Sequence, residues 1–531
     1  MQDGRATRGI VVARGGVAAA SQPLAVSAAL AILAHGGTCA DAAIAASAVL
    51  TVVEPYASHI GGDAFVVYYD ADARATTAFN GSGTAPALAC AGAFPDGIPD
   101  RGPSAASVPG IVDLWFTLHE RFGSFPVETL LAPAISYAGE GFPAGHRYSR
   151  VFAAAAASPG DPWVARALPV LGGGTPTPRP GERVVQPDLA RTMAEVAHGG
   201  RAAFYEGPVA ERIEAFCKAN GGLIGREDLA AHRTEVREPL RVDYRGYTVH
   251  GQPPVSQGVI LLEELNLVER FPLAAMQPAS ADAVHVMVEA KKLAFADRYA
   301  NLGDPRCVAV PIAELLSKEH AARRACRIDM SRAGPSALAA DEGRDTTYFC
   351  VVDGRGNAIS FIQSVFWAFG SGVVVDGTGI LLNNRMTGFS MDPASPNALA
   401  PGRRPVHTLN AYVVTRDDEL VWVGGTPGGN VQVQSNLQVL CNVIDFGMDP
   451  QRAVEAPRWQ HSDEGGATGV LEIEARIDPG VVAELRRRGH DVRSVGPWSH
   501  GSSYQLIWRD RETGSYHAGS DPRCDGHAAG F

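Results

Sequence analysis

The residues with the clearest chemical promise are Asp345-Thr346-Thr347, within "GRDTTYFCVVDGRGNAISF" (Gly343 to Phe361), where a polar segment turns into a β-rich run. A threonine hydroxyl is a poor nucleophile until a base removes its proton. Cutting the chain immediately before the residue frees its own α-amine, which titrates at roughly 7.7–8.0 and can serve as that base. Such chemistry needs an exposed linker before the Thr, a strand to hold it and backbone donors for an oxyanion. The glycine-rich "GGTPGG", Gly424 to Gly429, is a candidate for the donors. The plainer alternative is that both threonines open a strand, and spacing alone leaves the two readings open.

Other chemistries find no matching pattern. There is no GxSxG, HExxH or GxxxxGK[ST], which removes the elbow serine, the zinc helix and the phosphate loop. Gly61-Gly62, like Gly428-Gly429, is too short to be a phosphate loop by itself. The 15 histidines and 8 cysteines show no metal-ligand spacing. Cys39, Cys90, Cys217, Cys307, Cys326, Cys350, Cys441 and Cys524 are expected as buried free thiols, and neither metal nor cofactor is expected. A net charge of -11 over 531 residues argues against a nucleic-acid partner, which needs a clustered basic surface. Arg5, Arg8 and Arg14 interrupt the N-terminal apolar positions, and no run reaches membrane-spanning length. A cytoplasmic setting without membrane contact is the expectation.

Elements that would position the threonine pair follow from the pattern. Helices are predicted over Pro23 to Gly36, "CADAAIAASAVLTVVEP", "VPGIVDLWFTLHERFGSFP" and Ala281 to Tyr299, the last with Val284, Val288, Leu293 and Phe295 on a core face. "HIGGDAFVVYYDA" reads as a glycine turn feeding a strand. Roughly Pro311 to Arg344 has linker composition. Beyond Thr346 come short strands with hairpin turns at Asp353-Gly354 and Arg416 to Glu419, and helices return at Asn436 to Val443 and Val481 to Arg488. A helix-rich first part thus precedes a strand-rich second part, which fits layered sheets with helices outside.

Several segments together carry a family resemblance. "RDTTYFCVVDGRGNAISFIQ" and "FGSGVVVDGTGILLNNRMTGFS" resemble the small-subunit start of the γ-glutamyltranspeptidase family. "PLAVSAALAILAHGGTCADAAIAASAVLTVVEPYASHIGGDAF", "SVPGIVDLWFTLHERFGSFP", "GRAAFYEGPVAERI", "YRGYTVHGQPPVSQGV", "GGTPGG" and "SDPRCDGHAAG" follow in the family's order, from about residue 16 to 530. The resemblance implies an α/β fold, the four-layer α/β/β/α sandwich of N-terminal-nucleophile hydrolases. It implies self-cleavage between Asp345 and Thr346 into a large chain, 1–345, and a small chain, 346–531, forming one catalytic unit. Thr346 would be the nucleophile, Ser364 would stand for the family's orienting Thr, Gly428 and Gly429 would supply the oxyanion hole, and Thr347 would support. A homo-oligomer is left open.

The glutamate-binding positions depart from the pattern. The segment "APALACAGAF" lacks the arginine that holds the substrate α-carboxylate in typical members. Phe366 replaces an Asn, Arg385 and Gly388 replace the Gln and Asp that hold an α-ammonium, and His407-Thr408 replaces a Ser-Ser pair. Loss of a carboxylate and gain of an arginine reverse the preferred charge. Arg385, with Asn384, Phe366, His407 and Thr408, is therefore expected to bind a small substrate bearing a carboxylate, Arg385 as a bidentate fork. The implied function is hydrolysis of an amide or acyl bond in a small acidic substrate, similar to an oxamate amidohydrolase-like branch. Alternatives are γ-glutamyl transfer, an oxalyl-type C–C hydrolysis and an inactive binding scaffold.

Overall fold

Two seven-stranded antiparallel sheets hold the threonine pair. The computed structural model describes residues 7–158, 160–337, 345–464 and 466–531. The strands are β1 (Val11–Ala13), β2 (Gly16–Ala20), β3 (Asp63–Asp70), β4 (Ala75–Gly81), β5 (Glu235–Arg237), β6 (Leu240–Tyr244), β7 (Tyr247–Gly251), β8 (Thr347–Asp353), β9 (Ala358–Ser364), β10 (Tyr412–Arg416), β11 (Glu419–Gly425), β12 (Gln505–Arg509), β13 (Tyr516–Ser520) and β14 (His527–Gly530). The first sheet runs β1-β13-β12-β11-β10-β7-β6 and the second runs β14-β2-β8-β9-β3-β4-β5. Each sheet takes strands from both sides of residue 345. The helix-rich and strand-rich parts therefore interleave in one body.

Alternation along β8 explains the layers. Tyr348, Cys350 and Val352 enter a core shared with Val413, Val423 and Ile507 of the first sheet. Phe349 and Val351 point the other way, into the helices Pro23–Ala34 and Cys39–Val53. Helices Gly258–Val268, Ala281–Asn301 and Val431–Ile444 cover the outer face of the first sheet. A strand buried on both faces reads as a near-continuous apolar run, each large aliphatic side chain contributing about 1.5–3 kcal/mol. The β10–β11 hairpin turns at Asp417 and Asp418, with φ of 54° and 59°, the left-handed pair that a two-residue type I′ turn requires.

Three expectations need correction. The segment read as a linker from Pro311 carries the helices Ile312–Leu315 and Lys318–Ala325. Ser317 caps the second helix by accepting from the His320 N–H, and Leu315, Ala321 and Ala325 are buried. The remainder, 338–344, lies outside the described residues. Helix Ala281–Asn301 is buried well beyond one stripe, because Lys291 pairs with Asp463 at 2.7 Å and Lys292 with Glu289 at 2.8 Å. Of the free thiols, Cys90, Cys307 and Cys326 are exposed. Among the described residues no helix is long and apolar enough to cross a membrane.

Candidate active site

The two threonines occupy opposite faces of one strand. Thr346, immediately before β8, shares the parity of Tyr348 and lies on the side between the sheets. Its Oγ1 donates to Ser364 Oγ at 3.1 Å. Ser364 Oγ in turn donates to the carbonyl oxygen of Asp345 at 2.9 Å and accepts from the Phe366 N–H at 2.7 Å. One serine hydroxyl thus links the candidate nucleophile to the carbonyl of the candidate scissile bond. The β8–β9 register makes this possible by pairing Thr347 with Gln363, one residue inside each partner.

Thr347 faces the helix layer. Its Oγ1 donates to Glu54 Oε2 at 2.6 Å, and Ser21 Oγ donates to the same oxygen at 2.7 Å. Tyr56 OH donates to Glu54 Oε1 at 3.4 Å. Glu54 caps the end of helix Cys39–Val53, which brings a carboxylate beneath the first residue of β8. Thr347 is therefore a buried anchor of the strand start.

Gly428 and Gly429 sit between β11 and the helix Val431–Ile444, with φ of 132° and 58°. Their N–H groups donate to no other group among the described residues. Free donors at the start of a long helix favour negative charge. Gln257 Nε2 joins this loop to Thr408 by donating to the carbonyls of Gly429 and Thr408, at 3.1 and 2.5 Å. A Cβ on Gly425 would stand 2.5 Å from the Tyr348 ring, so the loop crosses close over β8.

The residues expected to bind substrate divide differently. Arg385 was expected to present its fork to a carboxylate, but Asp63 already holds that fork. Nε and Nη2 each donate to Asp63 at 2.9 Å, and both side chains are fully buried. Among the described residues Arg385 Nη1 has no hydrogen-bond partner, and the guanidinium lies 4.2 Å from the Phe366 ring centre. Burial pushes the Asp63 carboxyl up, while Arg385 pulls it back down. Asn384 spends its side chain on the backbone, accepting from Trp367 N–H and donating to the Asp100 carbonyl, both at 3.1 Å. It positions the loop after β9. His407 is buried with Nε2 3.8 Å from Asp63, and burial together with Arg385 and Arg404 holds it well below its ordinary value, hence neutral. Phe366 stands at φ 84°, a left-handed conformation unusual for an aromatic residue, as is common where a site stores strain. It lines a cleft of about 1010 Å3 with Trp367, Gly388 and Asn397.

Asp63, Glu54, Ser21 and Gln257 were not anticipated. The acid opening β3 directly after Gly61-Gly62 was the available signal for Asp63. Two groups have the composition of a metal site elsewhere, His285–Glu289–His490 and Glu263–Asp297–His320. The first is internally satisfied, His285 Nδ1 bonding His490 Nε2 at 2.8 Å with Lys292 on Glu289. In the second, Arg324 lies 2.9 Å from Asp297 and supplies the counter-charge.

Comparison with known proteins identifies the family and the fold. The Gamma-glutamyltranspeptidase family profile matches residues 25–531. The chain belongs to the gamma-glutamyltranspeptidase family. The Glutathione hydrolase-like YwrD proenzyme of Bacillus subtilis (strain 168) is 37% identical over 512 residues, 94% of this chain and 95% of the relative. The Oxamate amidohydrolase proenzyme of Klebsiella pneumoniae subsp. pneumoniae is 36% identical over 531 residues, 97% of this chain and 98% of the relative. The crystal structure of cephalosporin acylase from Bacillus halodurans superposes with a TM-score of 0.91 at 37% identity, covering 99% of this chain and 98% of that one. The fold is accordingly that of the N-terminal-nucleophile hydrolases, and the protein is an enzyme of this family.

Proposed function

We propose that this protein is a precursor that cleaves itself between Asp345 and Thr346, and that Thr346 of the resulting small chain, 346–531, then hydrolyses an amide of a small acidic substrate. The observation that carries the reading is the hydroxyl relay from Thr346 through Ser364 to the Asp345 carbonyl. Attack of Thr346 Oγ1 on the Asp345 carbonyl carbon forms a C–O bond, and the Ser364 hydroxyl stabilises the developing oxyanion. The C–N bond then breaks, the proton passes to the departing amine, and water resolves the ester. Afterwards the free α-amine lies beside the same hydroxyl and serves as its base. Gly428 and Gly429 N–H groups would receive the oxyanion of the substrate step.

An acidic substrate is supported by Gly388 standing where typical members carry an ammonium-binding Asp, and by relatives named for oxamate and cephalosporin chemistry. Phe366 lines the same cleft as Gly388. The test compares processed enzyme on oxamate, succinyl and glutaryl amides with a γ-glutamyl anilide. Thr346→Ala should lose both chain cleavage and all turnover. Release from the γ-glutamyl anilide alone, faster with an acceptor dipeptide, would instead make the protein a γ-glutamyl transferase.

A further inference from the structure

Away from the threonine pair, three helices packed together outside the first sheet bring metal-type donors to one point. Glu263 comes from helix Gly258–Val268, Asp297 from helix Ala281–Asn301 and His320 from helix Lys318–Ala325. No spacing in the sequence announces the group, because each member belongs to a different helix. The three donor atoms all lie within 4.8 Å of one another. His320 Nε2 is 3.1 Å from Asp297 Oδ2 and 3.6 Å from Glu263 Oε1. Bonds of about 2.0–2.2 Å to a zinc-sized ion, at tetrahedral angles, set donors about 3.4 Å apart, and these two edges bracket that value.

Glu263 is the member that asks for a cation. Its side chain is fully buried, and neither carboxylate oxygen has a hydrogen-bond partner among the described residues. A buried carboxylate without a partner is costly until a positive charge meets it. Arg324 answers only the other acid. Its Nη2 lies 2.9 Å from Asp297 Oδ2 and also donates to the Leu293 carbonyl, and among the described residues it forms no ion pair with Glu263. One guanidinium thus faces two carboxylates.

We propose that Glu263, Asp297 and His320 form a structural site for one divalent cation of the zinc type, which pins helix Lys318–Ala325 to the two longer helices. An imidazole among the donors favours zinc over magnesium and calcium, which take oxygen shells. Three protein donors leave the fourth position of a tetrahedral ion to water. All three donors lie in 1–345, so the inference stands apart from the reading of Thr346. The competing occupant is a single proton on Glu263, toward which burial and then the adjacent Asp297 carboxylate push it. A proton meets one oxygen of the pair, whereas a cation engages all three side chains at once.

The test strips the full-length protein with a chelator, removes the chelator and titrates with Zn2+ in calorimetry. One Zn2+ per chain should bind, and the melting temperature should rise by about 2 °C or more at a hundredfold excess over Kd. Mg2+ and Ca2+ at the same concentrations should do neither. Losing an outer partner of a metal ligand already costs about 10–100-fold in affinity, so losing a donor in Glu263→Gln or His320→Gln should weaken Zn2+ binding at least about 100-fold. His490→Gln, in the other histidine–carboxylate group, should leave it unchanged. Anomalous diffraction at the zinc edge from Zn2+-soaked crystals locates the ion without any variant, which decides the matter if a substitution fails to fold. The expected ion lies among the three donors. No Zn2+ bound, binding unmoved by both substitutions, or an ion elsewhere would overturn the proposal and leave the proton as the partner of Glu263.

Discussion

Thr346 and Thr347 are neighbours with different partners, because successive residues of a strand face opposite layers. Thr346 meets Ser364, and Thr347 meets Glu54 and Ser21. Ser364→Ala removes both the acceptor of the nucleophile and the donor to the Asp345 carbonyl, so self-cleavage should slow by about 10²–10³, the usual cost of one oxyanion donor. A time course of chain appearance on a denaturing gel reads this directly, and an unchanged rate would take Ser364 out of the mechanism. Spacing left Thr346 as one of two open readings, and Ser364 was reached only through the family resemblance; the structure brings their hydroxyls together across one hairpin. Glu54 and Ser21 were not legible, since they reach Thr347 from 293 and 326 residues away and no periodicity encodes that meeting. Arg385 was expected to hold a substrate carboxylate and instead holds Asp63, because a bidentate fork suits a protein carboxylate and a substrate carboxylate equally.

Elements were easiest to read where burial imposes a pattern. β8, β9, β10 and β11 announced themselves as two-faced apolar runs with turn residues between them. The helices after Pro311 did not, because their short apolar faces are outnumbered by surface charges. Gly61-Gly62 is more than a tight turn. A Cβ at Gly61 would lie 2.1 Å from the Leu381 carbonyl oxygen and one at Gly62 2.3 Å from that of Ser364, so β9 and the β3 entry pack backbone to backbone. Asp63, the next residue, locks the same junction through Arg385. Asp63→Asn leaves a fully buried guanidinium without its charge partner and should cost about 3–5 kcal/mol. Chemical denaturation measures it, and a loss below about 1 kcal/mol would show that the junction does not depend on this pair.

At the scale of the whole molecule, the sequence pattern suggested a change from helix-rich to strand-rich near residue 345, but not the mixing of both parts in each sheet. That mixing rests on strand pairings such as β2 with β8, far apart along the chain. The buried histidines give the molecule a pH signature. Burial holds His59 and His490 at about 3 and His250 and His500 at about 4, below the ordinary value of about 6.5. The unfolded chain therefore binds more protons than the folded one below about pH 6.5, and stability falls as pH drops from there toward about 4. Glu264 acts in the opposite sense. Burial raises it to about 8, so its contribution declines as pH rises from about 4.3 to 8. The melting temperature should peak at about pH 6–6.5 and fall steeply on the acid side. A melting temperature that keeps rising down to about pH 5 would contradict this balance.

The central claim is that the bond between Asp345 and Thr346 is cut by Thr346 itself. Intact-mass analysis of purified protein, with N-terminal sequencing of the smaller product, tests it most directly. The expected result is two chains, the smaller beginning Thr-Thr-Tyr-Phe, and a single uncut chain for Thr346→Ala under the same conditions. An uncut wild-type chain that hydrolyses substrate, or a Thr346→Ala chain cut at the same bond, would contradict the account.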